Sequence, residues 1–308
     1  MRALLVVNPK ATATTKRGRD VLVRAVSSDL KVEVVETERR GHAADLARDA
    51  VAEGVELVVT LGGDGTVNEV VNGLLAEGPG GHVPALAVVP GGSTNVFARA
   101  LGLPRDPVEA TGQIIEGLRA GRRRRIGLGR ADDRYFTFCA GLGIDAEVVR
   151  QVEAQRRRGK RSTNALYVRT TIRAFYGSTD RRHPPLTLRV PGAKDVRGLQ
   201  LGFVQNTAPW TYLGARAVDP SPEASFETGL DLYALRTLRT STALRQVRQL
   251  LTANGRPPRG KAVVARHDLA ELTLSSERPL PFQVDGDFLG ERTQVTFRAV
   301  PAALDVVT

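Results

Sequence analysis

The run Leu57-Val58-Val59-Thr60-Leu61-Gly62-Gly63-Asp64-Gly65-Thr66-Val67-Asn68-Glu69 constrains the chain more than any other stretch. It opens as a strand without polar alternation, as a strand buried on both faces should read. Three glycines interleaved with Asp64 and Thr66 follow, and a helical pattern starts directly after them. Glycine has no Cβ, so the backbone can turn sharply there and approach a ligand closely. A helix beginning at that point aims unpaired N–H groups and the positive end of its dipole at the turn, which favours an anion. Asp64 can hold a metal ion or orient a phosphate network. Thr66 can cap the helix or donate to a phosphate. The Gly-Lys-Ser/Thr ending of a Walker A loop is absent.

The same grammar surrounds this run. Strands are expected at Ala3–Val7, Val32–Glu36, Leu57–Leu61 and Ala85–Val89, all buried on both faces. Helices are expected at Arg17–Ser28, Ala43–Glu53, Val67–Ala76, Val96–Leu101 and Pro107–Arg119. Such alternation makes a parallel sheet covered by helices on both sides. After Gly121 the pattern changes to short strands: Arg124–Leu128, Tyr135–Ala140, Leu186–Val190, Leu199–Gln205, Leu230–Leu235, Ala262–Ala265, Leu269–Ser275 and Gln294–Val300. Two helical stretches, about Ala146–Phe175 and Thr242–Thr252, interrupt them. Many strands and few helices predict an antiparallel sandwich. The boundary falls near Gly121–Gly129, giving domains 1–125 and 126–299, with about 300–308 packing back on the first.

A chain of 308 residues suits two cores. The only cysteine, Cys139, excludes an internal disulfide, suits a reducing cytosol and reads as a small buried hydrophobe. No run approaches the roughly 20 apolar residues of a membrane span, and the apolar start at Ala3–Val7 is cut short by Asn8 and Pro9, unlike a signal peptide. The net charge of +11, concentrated at Arg122–Arg125 and Arg156–Arg161, draws the surface to polyanions. Aromatics at 5% and no recognised module argue against nucleic-acid readout. His42, His82, His183 and His267 show no metal spacing and read as surface or loop residues. Trp210 and Tyr212 fit either the entrance of a binding pocket or ordinary packing.

Two further elements leave strands at the same sheet edge, where open α/β sheets bind ligands. One is Pro90-Gly91-Gly92-Ser93-Thr94-Asn95-Val96-Phe97-Ala98-Arg99; the other is Val7-Asn8-Pro9-Lys10-Ala11. Each alone is an ordinary turn, and their convergence with Gly62–Asn68 gives them weight. Far along the chain, Val284-Asp285-Gly286-Asp287 places two acids about a glycine in an expected hairpin tip, which on spacing alone is only a turn.

Together these motifs resemble the diacylglycerol kinase catalytic-domain family, the bacterial lipid kinases that also include sphingosine and ceramide kinases. The resemblance rests on Asn8-Pro9-Lys10, Gly62–Glu69, Gly91–Asn95 and Val284–Asp287, spread over essentially the whole chain. It implies a Rossmann-like, phosphofructokinase-type nucleotide-binding domain, a β-sandwich lipid-acceptor domain and a cleft between them. ATP would be held by Asn8, Pro9, Lys10, Thr37, Gly62, Gly63, Asp64, Gly65, Thr66, Val67, Asn68 and Glu69, with Gly92, Ser93, Thr94 and Asn95 nearby. Asp285, then Asp287, would take the proton of the lipid hydroxyl, with Asp64 also in the catalytic set and Mg²⁺ bridging the ATP phosphates. The resemblance implies a cytoplasmic protein peripheral to the inner face of an anionic membrane, and it admits a homodimer.

Two departures stand out. The family often carries an acid where this chain has Thr228, and that acid helps hold a structural Mg²⁺; here only the carbonyls of Ser225 and Leu230 would remain as ligands, and a hydroxyl serves a hard cation poorly. A Gly-rich stretch common after Asn206 reads Trp210-Thr211-Tyr212-Leu213-Gly214 instead. Two other readings stay open. An NAD kinase would share the glycine turn and act on a soluble acceptor, and a non-catalytic lipid- or nucleotide-binding protein would share the fold.

Overall fold

The computed structural model describes residues 1–12, 16–27, 30–157, 169–170, 173, 183–252 and 255–308. The basic cluster Arg156–Arg161 and the expected continuation of a helix to Phe175 fall outside these residues, save for the backbone of 156–157 and fragments at 169–170 and 173. The chain divides into two compact units, residues 1–128 with 301–308, and residues 129–300.

Unit 1 alternates strand and helix: β1 (Arg2–Val7), α1 (Lys16–Ser27), β2 (Lys31–Glu36), α2 (His42–Ala52), β3 (Leu57–Gly62), α3 (Asp64–Leu74), β4 (Ala85–Pro90), α4 (Val96–Ala100) and α5 (Pro107–Arg119). The strands pair in parallel in the order β2-β1-β3-β4, and Val306 adds a parallel strand beside Leu86 of β4. Every residue of β3 and β4 is buried, as their unbroken apolar runs demand. β2 departs from that expectation: it borders only β1, and most of its residues are exposed or half-buried. An edge strand has a free side, so its Val-rich sequence does not imply burial on both faces. Helices α2 and α3 approach so closely that a Cβ on Gly73 would lie 2.2 Å from the Ala44 carbonyl oxygen. At α5, Pro107 sits in the first turn and the Asp106 carboxylate accepts from the amides of Val108 and Glu109.

The strand order creates a ligand position. The chain steps outward from β1 to β2, then crosses back over β1 to β3 and on to β4. The direction therefore reverses between β1 and β3, and the carboxyl ends of those two strands frame the position where such sheets hold ligands.

Unit 2 is antiparallel. Its elements are β5 (Arg123–Ala131, which begins in unit 1), β6 (Arg134–Phe136), β7 (Cys139–Gly143), α6 (Ile144–Arg157), β8 (Leu186–Arg189), β9 (Val196–Leu199), β10 (Leu201–Gln205), β11 (Thr211–Leu213), β12 (Arg216–Val218), β13 (Leu230–Leu235), α7 (Thr240–Thr252), β14 (Val263–Leu269), β15 (Glu271–Val284) and β16 (Asp287–Val307, whose end belongs to unit 1). The main order is β14-β13-β10-β7-β15-β16. β15 changes partners along its length: Thr273–Ser276 pair with β8, whereas Phe282–Val284 pair with β7, with register shifts between. The core draws Leu142, Val204 and Leu232 from one set of strands and Leu188, Leu274 and Phe297 from the other, so both halves of β15 face one apolar interior.

β15 and β16 run well beyond the expected Leu269–Ser275 and Gln294–Val300, and β11 and β12 have no expected counterpart. Three other boundaries differ from the sequence expectation. Helix α3 starts at Asp64, not Val67, which makes Gly65 and Thr66 part of its first turn. The expected strand Leu199–Gln205 is two strands meeting at Gln200. The expected strand Tyr135–Ala140 is also two strands, interrupted at Thr137 and Phe138, whose amides turn to a carboxylate from a distant hairpin tip.

Candidate functional site

In unit 1, Asn8 ties the end of β1 to the start of α3. Its amide donates to the Leu61 carbonyl at 2.9 Å, and its Nδ2 donates to Thr66 Oγ1 at 2.9 Å. Its Oδ1 accepts from the Lys10 amide at 3.0 Å and so shapes the exposed Pro9–Lys10 segment. On the other side of β1, the Thr37 amide donates to the Val7 carbonyl at 2.8 Å, leaving Thr37 half-buried at the same strand end.

The two glycine turns meet back to back. The Gly91 amide donates to the Gly62 carbonyl at 2.7 Å, and a Cβ on Gly92 would lie 2.7 Å from the Gly63 Cα. No residue with a side chain fits at that contact. Asn95, with φ 50°, exchanges two hydrogen bonds with the Gly92 backbone at 2.8 and 2.9 Å. Asp64 completes the lock, its two carboxylate oxygens accepting from the Val96 and Phe97 amides at 3.1 Å each. Its charge thus faces the start of α4. Val67 and Asn68 are buried within unit 1, Glu69 and Thr94 are half-buried, and Lys10 and Ser93 are exposed. The reachable groups are the amides at Gly63–Gly65, the Lys10 ammonium and the Ser93 hydroxyl, a set suited to an anion.

In unit 2, Asp285 and Gly286 form the tip of the β15–β16 hairpin, with φ of 48° and 80° that fit a type I′ turn. The Asp285 side chain, 4% exposed, points back into the unit. Oδ2 accepts from the Thr137 amide at 2.7 Å and its hydroxyl at 2.9 Å, while Oδ1 accepts from the amides of Phe138 at 3.0 Å and Cys139 at 3.1 Å. The amides of Thr137 and Phe138, turned to this carboxylate, do not continue the strand ladder, which resumes at Cys139. This is why the strand breaks between β6 and β7. Cys139 itself is buried, and its Sγ accepts from Gln283 Nε2 at 3.7 Å.

Beside the tip, Gln283 links two elements. Its Oε1 accepts from the Gly286 amide at 2.9 Å, and its Nε2 donates to Asp145 Oδ2 at 2.6 Å. Asp145 lies in the first turn of α6, where burial pushes its carboxyl up to about 6 against the opposing effect of the Gln283 hydrogen bond. Glu153, two turns along α6, accepts from the Phe288 amide at 2.9 Å. Asp287 is half-buried at the first position of β16. The structure thus groups Asp145, Gln283, Asp285, Asp287 and Glu153 around one hairpin tip. Sequence reasoning missed Asp145, although Gly141-Leu142-Gly143-Ile144-Asp145 repeats the strand–glycine–helix grammar of Gly62–Asp64 with an acid in the first helical turn.

The segment that would hold a structural cation is closed on itself. Thr228 Oγ1 donates to the Ser225 carbonyl at 3.1 Å and accepts from the Ser225 amide at 3.2 Å. The Gly229 amide donates to Asp268 Oδ1 at 2.6 Å, and Leu230 enters β13 opposite Leu269. The Ser225 carbonyl therefore faces a hydroxyl donor, and the segment does not fit a hard cation. No group of three His, Cys, Asp or Glu able to hold a metal occurs among the described residues. Nearby, His267 is an exposed residue of β14. Its Nδ1 lies 2.8 and 3.0 Å from the two oxygens of Asp231, a carboxyl that burial pushes up although His267 and the Asp268 amide oppose that. Trp210 stacks on Phe203 at 5.0 Å, so packing accounts for it.

Comparison with known proteins identifies the family. The model for the diacylglycerol kinase catalytic domain matches residues 2–130. A protein of Chromohalobacter salexigens described as a probable lipid kinase, YegS-like, is 30% identical over 291 residues, covering 92% of this chain and 86% of that one. A diacylglycerol kinase of Bacillus subtilis is 34% identical over 157 residues, half of each chain. Among solved structures, a diacylglycerol kinase from Bacillus anthracis superposes with a TM-score of 0.70 at 18% identity, covering 99% of this chain and 96% of that one. An NAD kinase from Archaeoglobus fulgidus in complex with ATP reaches 0.53 at 12% identity, over 100% and 94% of the two chains. The chain belongs to the diacylglycerol kinase catalytic-domain family of lipid kinases.

Proposed function

We propose that this kinase transfers the γ-phosphoryl group of ATP to the hydroxyl of a membrane lipid, a diacylglycerol-like or sphingoid acceptor. The observation that carries the reading is the pair of glycine turns locked back to back at the point where the parallel sheet reverses direction. In this reading the triphosphate lies along the amides of Gly63–Gly65 and the Lys10 ammonium, with Asn8, Thr37, Ser93 and Thr94 around it. Phosphoryl transfer leaves little covalent chemistry to the protein, so fixed amides and charge supply most of the acceleration. Mg²⁺ bound with the nucleotide would neutralise charge on the phosphates; Asp64, engaged with two amides, is assigned to holding the turns in place.

Unit 2 supplies the acceptor side. Asp285 is the first carboxylate assigned to the lipid hydroxyl proton and Asp287 the next, a step worth roughly 10² to 10⁴ in rate. Since three amides and the Thr137 hydroxyl engage Asp285, the reading requires the acceptor hydroxyl to take the place of the Thr137 hydroxyl at Oδ2. What supports the assignment is the concentration of carboxyl groups about the hairpin tip. A lipid acceptor puts the enzyme at a membrane surface, and the reading places it there as a peripheral protein of the cytoplasmic face. No helix among the described residues is long and apolar enough to cross a membrane.

The test is transfer of label from γ-radiolabelled ATP to diacylglycerol, a sphingoid base or NAD, each in detergent micelles with Mg²⁺. Label in a lipid, lost in Asp285→Asn, is the expected result. Label in NAD alone would move the protein to the second reading, which its likeness in fold to an NAD kinase favours. ATP turnover absent with every acceptor would end both.

A further inference from the structure

Helix α7 sits in unit 2 with its apolar stripe facing outward. Gln246 is its one fully buried residue, held by the Tyr233 hydroxyl at 3.0 Å, and Gln249 exchanges hydrogen bonds with the Arg259 backbone at 2.7 and 3.0 Å. Polar side chains therefore anchor the helix. The apolar residues that would ordinarily do so, Leu244 and Val247, are 65% and 51% exposed. With Leu251, half-buried, they stand at i, i+3 and i+7, one face of a helix. Burying an apolar side chain is worth more than tethering a helix by two glutamines, so an arrangement that leaves this stripe outside presents it to something.

The charge around the stripe identifies the occupant. From Leu232 to His267 the sequence contains eight Arg or Lys residues and no Asp or Glu. Arg248 lies one turn from Leu244 and Arg245 lies beside it, both exposed, and neither makes an ion pair among the described residues. Arg239, Arg256 and Arg259 are exposed as well. An apolar face bordered by arginines in an acid-free segment suits an interface whose surface is anionic and whose interior is hydrocarbon. A second copy of this chain would bring its own arginines against these, and like charges oppose that pairing.

We propose that the exposed face of α7 docks the protein on an anionic lipid bilayer, with Leu244, Val247 and Leu251 entering the headgroup region and Arg245 and Arg248 meeting lipid phosphates. This deepens the lipid-kinase reading and rests on it for its biological sense, although the binding itself is measured separately.

The experiment is sedimentation of the full chain with vesicles of phosphatidylglycerol and phosphatidylcholine, or of phosphatidylcholine alone, beside kinase turnover on diacylglycerol in non-ionic micelles. The wild type should bind the anionic vesicles and release with added salt. Leu244→Ser with Val247→Ser should weaken binding about tenfold or more. Arg245→Gln with Arg248→Gln should weaken it about fivefold for each charge removed. Micellar turnover and the unfolding midpoint should hold in both variants. Equal vesicle binding by variants and wild type, or no binding by the wild type, overturns the proposal. A dimer dissolved by Leu244→Ser with Val247→Ser would give the face to a second copy and also overturn it, as would loss of oligonucleotide binding with vesicle binding intact. Vesicle binding that depends on α7 in a protein with no micellar turnover would keep the docking surface and remove the lipid-kinase reading.

Discussion

Asp64 and Asp145 occupy the first turns of α3 and α6, and their surroundings set them to different tasks. Asp64 is held by two backbone amides of α4, each a charge-assisted bond worth about 1.5–3 kcal/mol. Asp64→Ala should therefore destabilise the protein by about 3 kcal/mol in a urea titration. It should also weaken ATP binding, because Gly92 and Asn95 lose their fixed position against Gly63. Asp145 has no such support, and burial raises its carboxyl from 3.8 to about 6. The folded state thus holds an extra proton between those values. The contribution of Asp145 to stability is greatest on the acid side and declines as pH rises from 3.8 through about 6. Asp145→Asn should flatten this slope and raise relative stability above that pH by about 2 kcal/mol, allowing for partial solvent screening. Unfolding midpoints of both proteins measured across mildly acidic to neutral pH check the sign; a steeper fall in the variant would contradict it.

At the scale of elements, the turn before β13 gives the plainest prediction. Thr228 already donates to the Ser225 carbonyl, one of the two carbonyls that a cation would engage, and offers a hydroxyl where a carboxylate would be needed. Without nucleotide, the wild-type melting temperature should be the same in Mg²⁺ and in EDTA. Thr228→Asp should acquire a Mg²⁺-dependent rise, on the order of 2–3 kcal/mol at about one hundred times its Kd. The sequence disclosed a large part of this architecture for local reasons. Unbroken apolar runs marked β3 and β4, and Gly62-Gly63 marked the turn where β3 ends. What stayed hidden is non-local. Nothing near Thr137 announces that its amide will turn to Asp285, 148 residues away, and cut a strand in two. Likewise, Gly63 and Gly92 each read as a turn, and only the order of strands shows that they must touch. The exposure of β2 comes from its place at the sheet edge, a property of topology that its Val-rich sequence does not carry. Asp145 escapes notice because one acid after a glycine is common; it takes Gln283, from another strand, to single it out.

For the whole molecule, the strand formed by residues 301–308 carries a disproportionate load in unit 1. Leu304, Val306 and Val307 are at most 1% exposed, and burial of each contributes about 1.5–3 kcal/mol. Arg125 fastens the same segment through the Ala302 carbonyl at 2.8 Å and Asp305 at 3.1 Å, and Gly117 of α5 packs against Thr308. A chain ending at Val300 should lose more than about 5 kcal/mol, which is most of what holds a domain of this size together. Limited proteolysis should then cut within residues 1–128 while unit 2 stays resistant. The arrangement also bears on how the protein is made. On a ribosome, residues 1–128 emerge first, yet the strand that covers β4 arrives only after residues 129–300 have been translated. Through that interval the nascent sheet exposes one wholly apolar edge, a template for pairing with neighbouring chains, and a chaperone or quick translation of the remainder becomes part of the folding route.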